Sequence, residues 1–154
     1  DNSDPFTLPT YIPPTGASTA AFNTQVDSAR SEGKWRTMCI HGFTGDGAAY
    51  QPVPVDQFIE SVKHAKSTGD MWLDTITNVG SYWLGEKAFG AATTMTSGSD
   101  KTWTWKLPDQ FPTGHYLRVT VDGGTLKQAG TTLNWDAHGY YEIALDAGSV
   151  TLSP

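Results

Sequence analysis

The apolar periodicity of this 154-residue chain changes once, near Gly90, and that change limits the folds open to it. Before it, apolar residues recur at helical spacing between short apolar runs; after it they alternate every second residue between glycine-rich turns. The sequence therefore predicts an α/β part, residues 1–92, followed by a small antiparallel β module, residues 93–154. The Thr-, Ser- and Gly-rich run from Thr93 to Asp100 reads as the joint. A full eight-unit barrel needs roughly 250 residues and does not fit.

Residues 1–16 carry four prolines and no periodicity, which suits an extended lead-in. Phe22, Val26 and Ala29 then space a helix, with Ser18 or Thr19 as N-cap and Gly33 at its end. Trp35 to Ile40 reads as a buried strand. A second helix follows Pro54, with Val55, Phe58, Ile59 and Val62 on the buried face and Asp56, Glu60 and Lys63 in solvent. Met71-Trp72-Leu73 reads as a second short strand, and Ile76, Val79 and Trp83 space a third helix capped by Thr75. Helices alternating with buried strands call for parallel pairing. Two strands cannot cover three helices, so this stretch is expected to lean on more sheet than it contains, as the closing end of a larger barrel would.

Charge and composition remove several classes of function. The net charge is −6 with no basic cluster, which leaves nothing to neutralise nucleic-acid phosphates. No apolar run approaches the ~20 residues that would span a bilayer, and the chain opens without a basic or apolar leader, as a mature or excised chain would. Cys39 is the single cysteine and falls in the predicted strand, where a buried, inert thiol is expected. Sparse lysine with abundant Thr, Gly, Trp and Tyr is common in secreted proteins that handle carbohydrate.

The strongest functional pointer is the hexad Arg36-Thr37-Met38-Cys39-Ile40-His41, an apolar strand ending on a histidine, with Gly42 and a polar loop next. Side chains at the C-terminal ends of parallel strands face the ligand crevice of α/β folds. A histidine there is equally compatible with a hydrogen-bonded turn. Asp46 in the following loop and Asp74 at the end of the next predicted strand can share that crevice, with Trp72 as an apolar wall. Asp74 also suits the start of the third helix without any catalytic role. His64 lies between Lys63 and Lys66 on the outer face of a helix and reads as solvated; His115 and His138 fall in the β module. None of the histidines pairs at metal-ligand spacing, so no metal site is expected from this chain alone. Trp103 and Trp105 alternate onto one face of a strand, where with Tyr140 or Trp135 they form either a platform for sugar rings or the core of a small sheet.

The run Phe22 to Glu32, Gly33-Lys34-Trp35 leading into Thr37-Met38-Cys39-Ile40-His41, then Tyr50-Gln51-Pro52, Phe58 and Met71-Trp72-Leu73-Asp74-Thr75 resembles the last third of NodB-type polysaccharide deacetylases, over about residues 15–90. The resemblance implies the C-terminal part of a distorted (β/α) barrel in a secreted carbohydrate esterase. In that family a divalent metal, zinc or similar, activates water to remove an acetyl group from a glycan, an Asp acts as base, and a late histidine protonates the leaving group. By that resemblance His41 is the general acid and Asp46, Trp72, Asp74, Trp103 and Trp105 are candidate substrate contacts. The family's Asp-Asp pair, His-x-x-x-His ligands and Arg-Pro segment have no counterpart here. A missing N-terminal part of the barrel, present as a second chain or as the rest of a longer one, is then the implied partner, with a polysaccharide as substrate.

Two other readings compete. His41-Gly42-Phe43-Thr44-Gly45 is similar to the oxyanion-loop start of α/β-hydrolase esterases, but the Gly-x-Ser-x-Gly nucleophile elbow is missing. A non-catalytic glycan-binding or scaffold module needs only the tryptophan face.

Overall fold

A computed structural model describes residues 8, 10–47 and 49–154. The chain is mixed α/β, with three helices and a five-stranded antiparallel sheet, and no closed barrel forms among the described residues. It divides into two units, Asp1–Asp74 and Thr75–Pro154. The third helix thus groups with the β module, and the boundary falls before that helix rather than at 92/93.

In the first unit, β1 (Thr10–Tyr11) pairs in parallel with β2 (Thr37–Met38) through the intervening α1 (Thr19–Glu32), and α2 (Val55–Ser67) follows. Helix α1 forms where its apolar spacing predicts. Ser18 Oγ accepts from the Ala21 N–H, and Gly33 stops the helix in the left-handed region at φ 61°, with its N–H on the Arg30 carbonyl. Phe22, Val26 and Ala29 are its buried residues. Phe22 anchors a small core with Ala17 and Val53, edge-on to both Tyr11 and Phe58. Thr19 ties the two helices together, its N–H and Oγ1 both donating to Gln57 Oε1 at 3.0 and 2.9 Å.

Three expectations fail in this unit for one reason. The strand predicted over Trp35 to Ile40 shrinks to two residues, Met71-Trp72-Leu73 pairs as a strand with nothing among the described residues, and Cys39 is exposed rather than buried. A strand needs a partner and two covered faces to run on, and among the described residues β2 has only β1, which the proline-rich lead-in supplies. Helix α2 shows the same shortage. It buries Ser61 and Ala65, whereas Val55 and Ile59, half of its apolar stripe, stay 47% and 45% exposed. His64 is not simply solvated: its Nε2 lies 2.7 Å from Asp27 Oδ1 of α1.

In the second unit, α3 (Ile76–Gly90) is capped by Thr75 Oγ1, which accepts from the Asn78 N–H at 3.2 Å. The strands β3 (Thr93–Ser97), β4 (Asp100–Thr104), β5 (Tyr116–Val119), β6 (Thr125–Gln128), β7 (Thr131–Thr132), β8 (Tyr141–Ala144) and β9 (Ser149–Ser153) follow. They form one sheet in the order β3-β4-β9-β6-β7 and a separate β5-β8 pair, antiparallel throughout. The Thr93 to Asp100 run is therefore not a joint. It makes edge strand β3 and a two-residue turn into β4, because threonine supplies β-branched side chains that tolerate an edge exposed on both faces.

The core of this unit joins Trp105, Leu117, Leu126, Tyr141, Ile143, Leu145 and Val150, with Tyr82 and Phe89 of α3 packed against it. Gly85 lets α3 approach closely, since a Cβ there would collide with the Leu145 side chain. Gln128 links the strand layers. Its Nε2 donates to the Ala144 and Ser149 carbonyls at 2.9 and 3.0 Å, and its Oε1 accepts from the Ala144 N–H at 2.8 Å.

Replacing Gln128 with Leu roughly keeps the volume but removes the partner of three part-buried backbone groups, so unfolding in urea should show a loss of about 1–3 kcal/mol. A variant as stable as the wild type would mean those bonds are replaced by water.

Candidate active site

His41 lies three residues beyond the end of β2, exposed, at the mouth of a loop that closes on itself. The loop base is a parallel bridge between Phe43 and Val53: the Val53 N–H donates to the Gly42 carbonyl at 3.1 Å and the Thr44 N–H to the Val53 carbonyl at 2.9 Å. Asp46 serves the turn inside it. Its Oδ2 accepts from the Phe43 N–H at 2.7 Å and its own N–H returns to the Phe43 carbonyl at 3.1 Å. Gly42 is required there, because a Cβ would meet Ala49 Cβ at 2.5 Å and Asp46 Oδ2 at 3.3 Å.

That geometry presents Tyr50 to His41. The two rings meet edge to face with centroids 5.4 Å apart, and Tyr50 is 69% exposed. The next residue, Gln51, holds φ at 47°, a left-handed conformation unusual for a side chain of that size. Asp46 was legible as a loop residue near His41; Tyr50 was not. The available signal was the spacing of Gly42, Gly45 and Gly47 before Tyr50, which is that of a tight loop returning on its own base.

The other candidates separate. Trp72 is 53% exposed and donates its indole N–H to Asp74 Oδ2 at 3.3 Å, so these two form a local pair, and the helix-capping role belongs to Thr75. Asp70, two residues before Trp72, is held by α1. Arg30 Nε reaches both of its oxygens at 2.9 Å, and this hydrogen bond, with a second from Thr68, holds the Asp70 carboxyl below the usual carboxylate range.

Trp105 is a core residue: it is 7% exposed, its indole N–H donates to the Leu145 carbonyl at 2.9 Å, and Phe89 packs edge-on to it. Trp103 is half-buried against the same core, with Lys101 Nζ 4.9 Å from its ring centre. The two tryptophans therefore form no open platform; the inward face of a half-covered sheet takes its largest side chains first. On the outer face of β5-β8, Arg118 lies over the Tyr140 ring and His138 stacks on that ring. The His138 N–H and ring hold the Asp136 carboxyl below its ordinary range.

Among the described residues no group of three or more His, Cys, Asp or Glu side chains is placed to hold a metal ion. The described residues therefore do not by themselves fit the divalent metal that the resemblance implies. No helix among them is long and apolar enough to cross a membrane. No family model, curated protein or solved structure matches the chain.

In Arg30→Ala the Asp70 carboxyl should titrate closer to its ordinary value of 3.8, as followed by NMR. The sign is that of a depressed carboxylate: its contribution is present above the ordinary value and is lost as pH falls through the folded value. An unchanged titration would mean that Thr68 and the backbone alone set it.

Proposed function

We propose that this chain is the C-terminal portion of a secreted polysaccharide deacetylase-like hydrolase, in which His41 delivers a proton to the sugar amine or hydroxyl that leaves as the acetyl group is removed. The observation that carries the reading is the β1-α1-β2 unit, a parallel pair joined by a helix, whose outer strand edges have no partner among the described residues. Parallel strands occur almost only inside sheets covered on both faces.

Further features of the same unit support it. Ile12, Val55, Ile59, Trp72 and Leu73 are all exposed large apolar residues, and the buried atoms Asn23 Oδ1 and Arg36 Nε have no hydrogen-bond partner. Open apolar surface of this kind is what a packing partner would cover. His41 leaves the C-terminal side of the parallel pair, the side on which α/β folds bind ligands. An exposed imidazole suits proton delivery once a neighbouring group holds its charged form. The remaining chemistry falls to the rest of the barrel.

The chain by itself should bind a hydrophobic dye or associate; a dye-silent monomer counts against the reading. The deciding experiment is recovery of the polypeptide from its source, with any co-purifying chain, followed by assay of acetate release from acetylated glycans. A larger precursor or a second chain carrying an Asp-Asp pair and His-x-x-x-His is expected, and His41→Ala in that assembly should slow release by about 10²–10⁴-fold. A solitary 154-residue species that releases no acetate sinks the proposal and favours a non-catalytic module.

A further inference from the structure

Among the described residues Tyr50 is the most exposed of the large apolar side chains, yet its position is built rather than incidental. A single exposed aromatic residue is ordinary on a protein surface. This one differs because three independent devices fix it. The Phe43–Val53 bridge closes the loop at its base, Gly42 allows Ala49 to pack against the backbone next to His41, and Gln51 takes a left-handed conformation at φ 47° immediately after it. Such backbone cost persists where the surroundings hold a side chain in place for use. The outcome is an aromatic face open to solvent whose ring sits 5.4 Å, centroid to centroid, from the candidate acid His41.

We propose that Tyr50 is the sugar-stacking residue of this site, carrying the pyranose ring whose amine or hydroxyl His41 protonates. The inference rests on the deacetylase reading for the identity of the ligand, an acetylated glycan. A pyranose offers a flat face of C–H groups that packs on an aromatic ring, while its polar substituents point outward from the rim. A ring resting on Tyr50 turns one substituent toward the adjacent imidazole, which is the hydrogen-bond reach that general acid catalysis requires. The phenol hydroxyl is not needed for stacking. Asp46 stays with the turn, because its carboxylate already accepts the Phe43 N–H. Tyr50 therefore acts on substrate position and affinity, and His41 on the proton.

An N-acetylated chito-oligosaccharide is titrated into the chain while the Tyr50 and His41 ring signals are followed by NMR, for wild type, Tyr50→Phe and Tyr50→Ala. Both rings should shift together at millimolar ligand. Tyr50→Phe should retain the affinity and Tyr50→Ala should lose about fivefold to tenfold, the effect of one aromatic stacking contact. Thermal unfolding of Tyr50→Ala should match the wild type, since the side chain is exposed. Absence of shifts at these two rings, or equal affinity in Tyr50→Ala, overturns the assignment. Acetate release is read separately on the completed assembly: stacking without release removes the hydrolase reading and leaves the Tyr50 site standing as a glycan subsite, whereas release with unchanged Tyr50→Ala kinetics removes the Tyr50 site alone.

Discussion

Parallel pairing between Thr10–Tyr11 and Thr37–Met38 is the constraint on which the first unit depends. A parallel pair cannot be closed by a hairpin, so it commits the chain to a crossover helix, and α1 is that helix. The pair is short, and side chains reinforce it: Thr10 Oγ1 and Thr37 Oγ1 lie 2.7 Å apart on facing register positions. Everything apolar near it then divides into what α1 and α2 can cover and what they cannot. Phe22 and Val53 are covered completely; Ile12, Val55 and Ile59 are not. Helix α2 turns Ser61 and Ala65 inward because small residues permit close approach to α1, and Phe58 packs on Phe22 while Val55 and Ile59 stay exposed.

The second unit solves the same problem in the opposite way. Antiparallel strands need only short turns and one covered face, so seven strands and α3 enclose a core without help from elsewhere. Gln128 ties its layers together: the buried amide serves two carbonyls and an N–H that would otherwise be stranded between them. The first unit, with only a two-stranded pair among its described residues, leaves Val55, Ile59, Trp72 and Leu73 exposed.

What could be read from the sequence follows the same line. The helix bounded by Ser18 and Gly33 and the cap at Thr75 were legible because caps and apolar spacing are local. The alternating strands through Leu117, Ile143 and Val150 were legible because period 2 is local as well. Strand β1 was hidden, since a two-residue strand in a proline-rich lead-in has no period at all. The placement of α3 was misread because its apolar residues say that it packs, not against which sheet; the absent side chain of Gly85 opposite Leu145 decides that. Trp103 and Trp105 look the same in sequence as platform or core, and only the Leu145 carbonyl waiting for an indole N–H separates the two.

At the candidate site the balance between local and long-range determinants has a consequence for function. The described residues of the loop between Gly42 and Val53 are held locally by the bridge at its base, the Asp46 turn and the tight packing at Gly42, and its foot is anchored by Phe43 and Val53 in the core of the first unit. On the proposed reading this divides the labour of catalysis physically. A preorganised loop holds a proton donor against a flat aromatic surface, which is a task of positioning, while the stronger electrostatic work of activating water requires convergent carboxylates and imidazoles that this chain does not bring together among its described residues. On that reading positioning can reside in a separate segment because it needs few residues, all close in sequence, whereas activation needs groups that converge from several strand ends of a larger sheet.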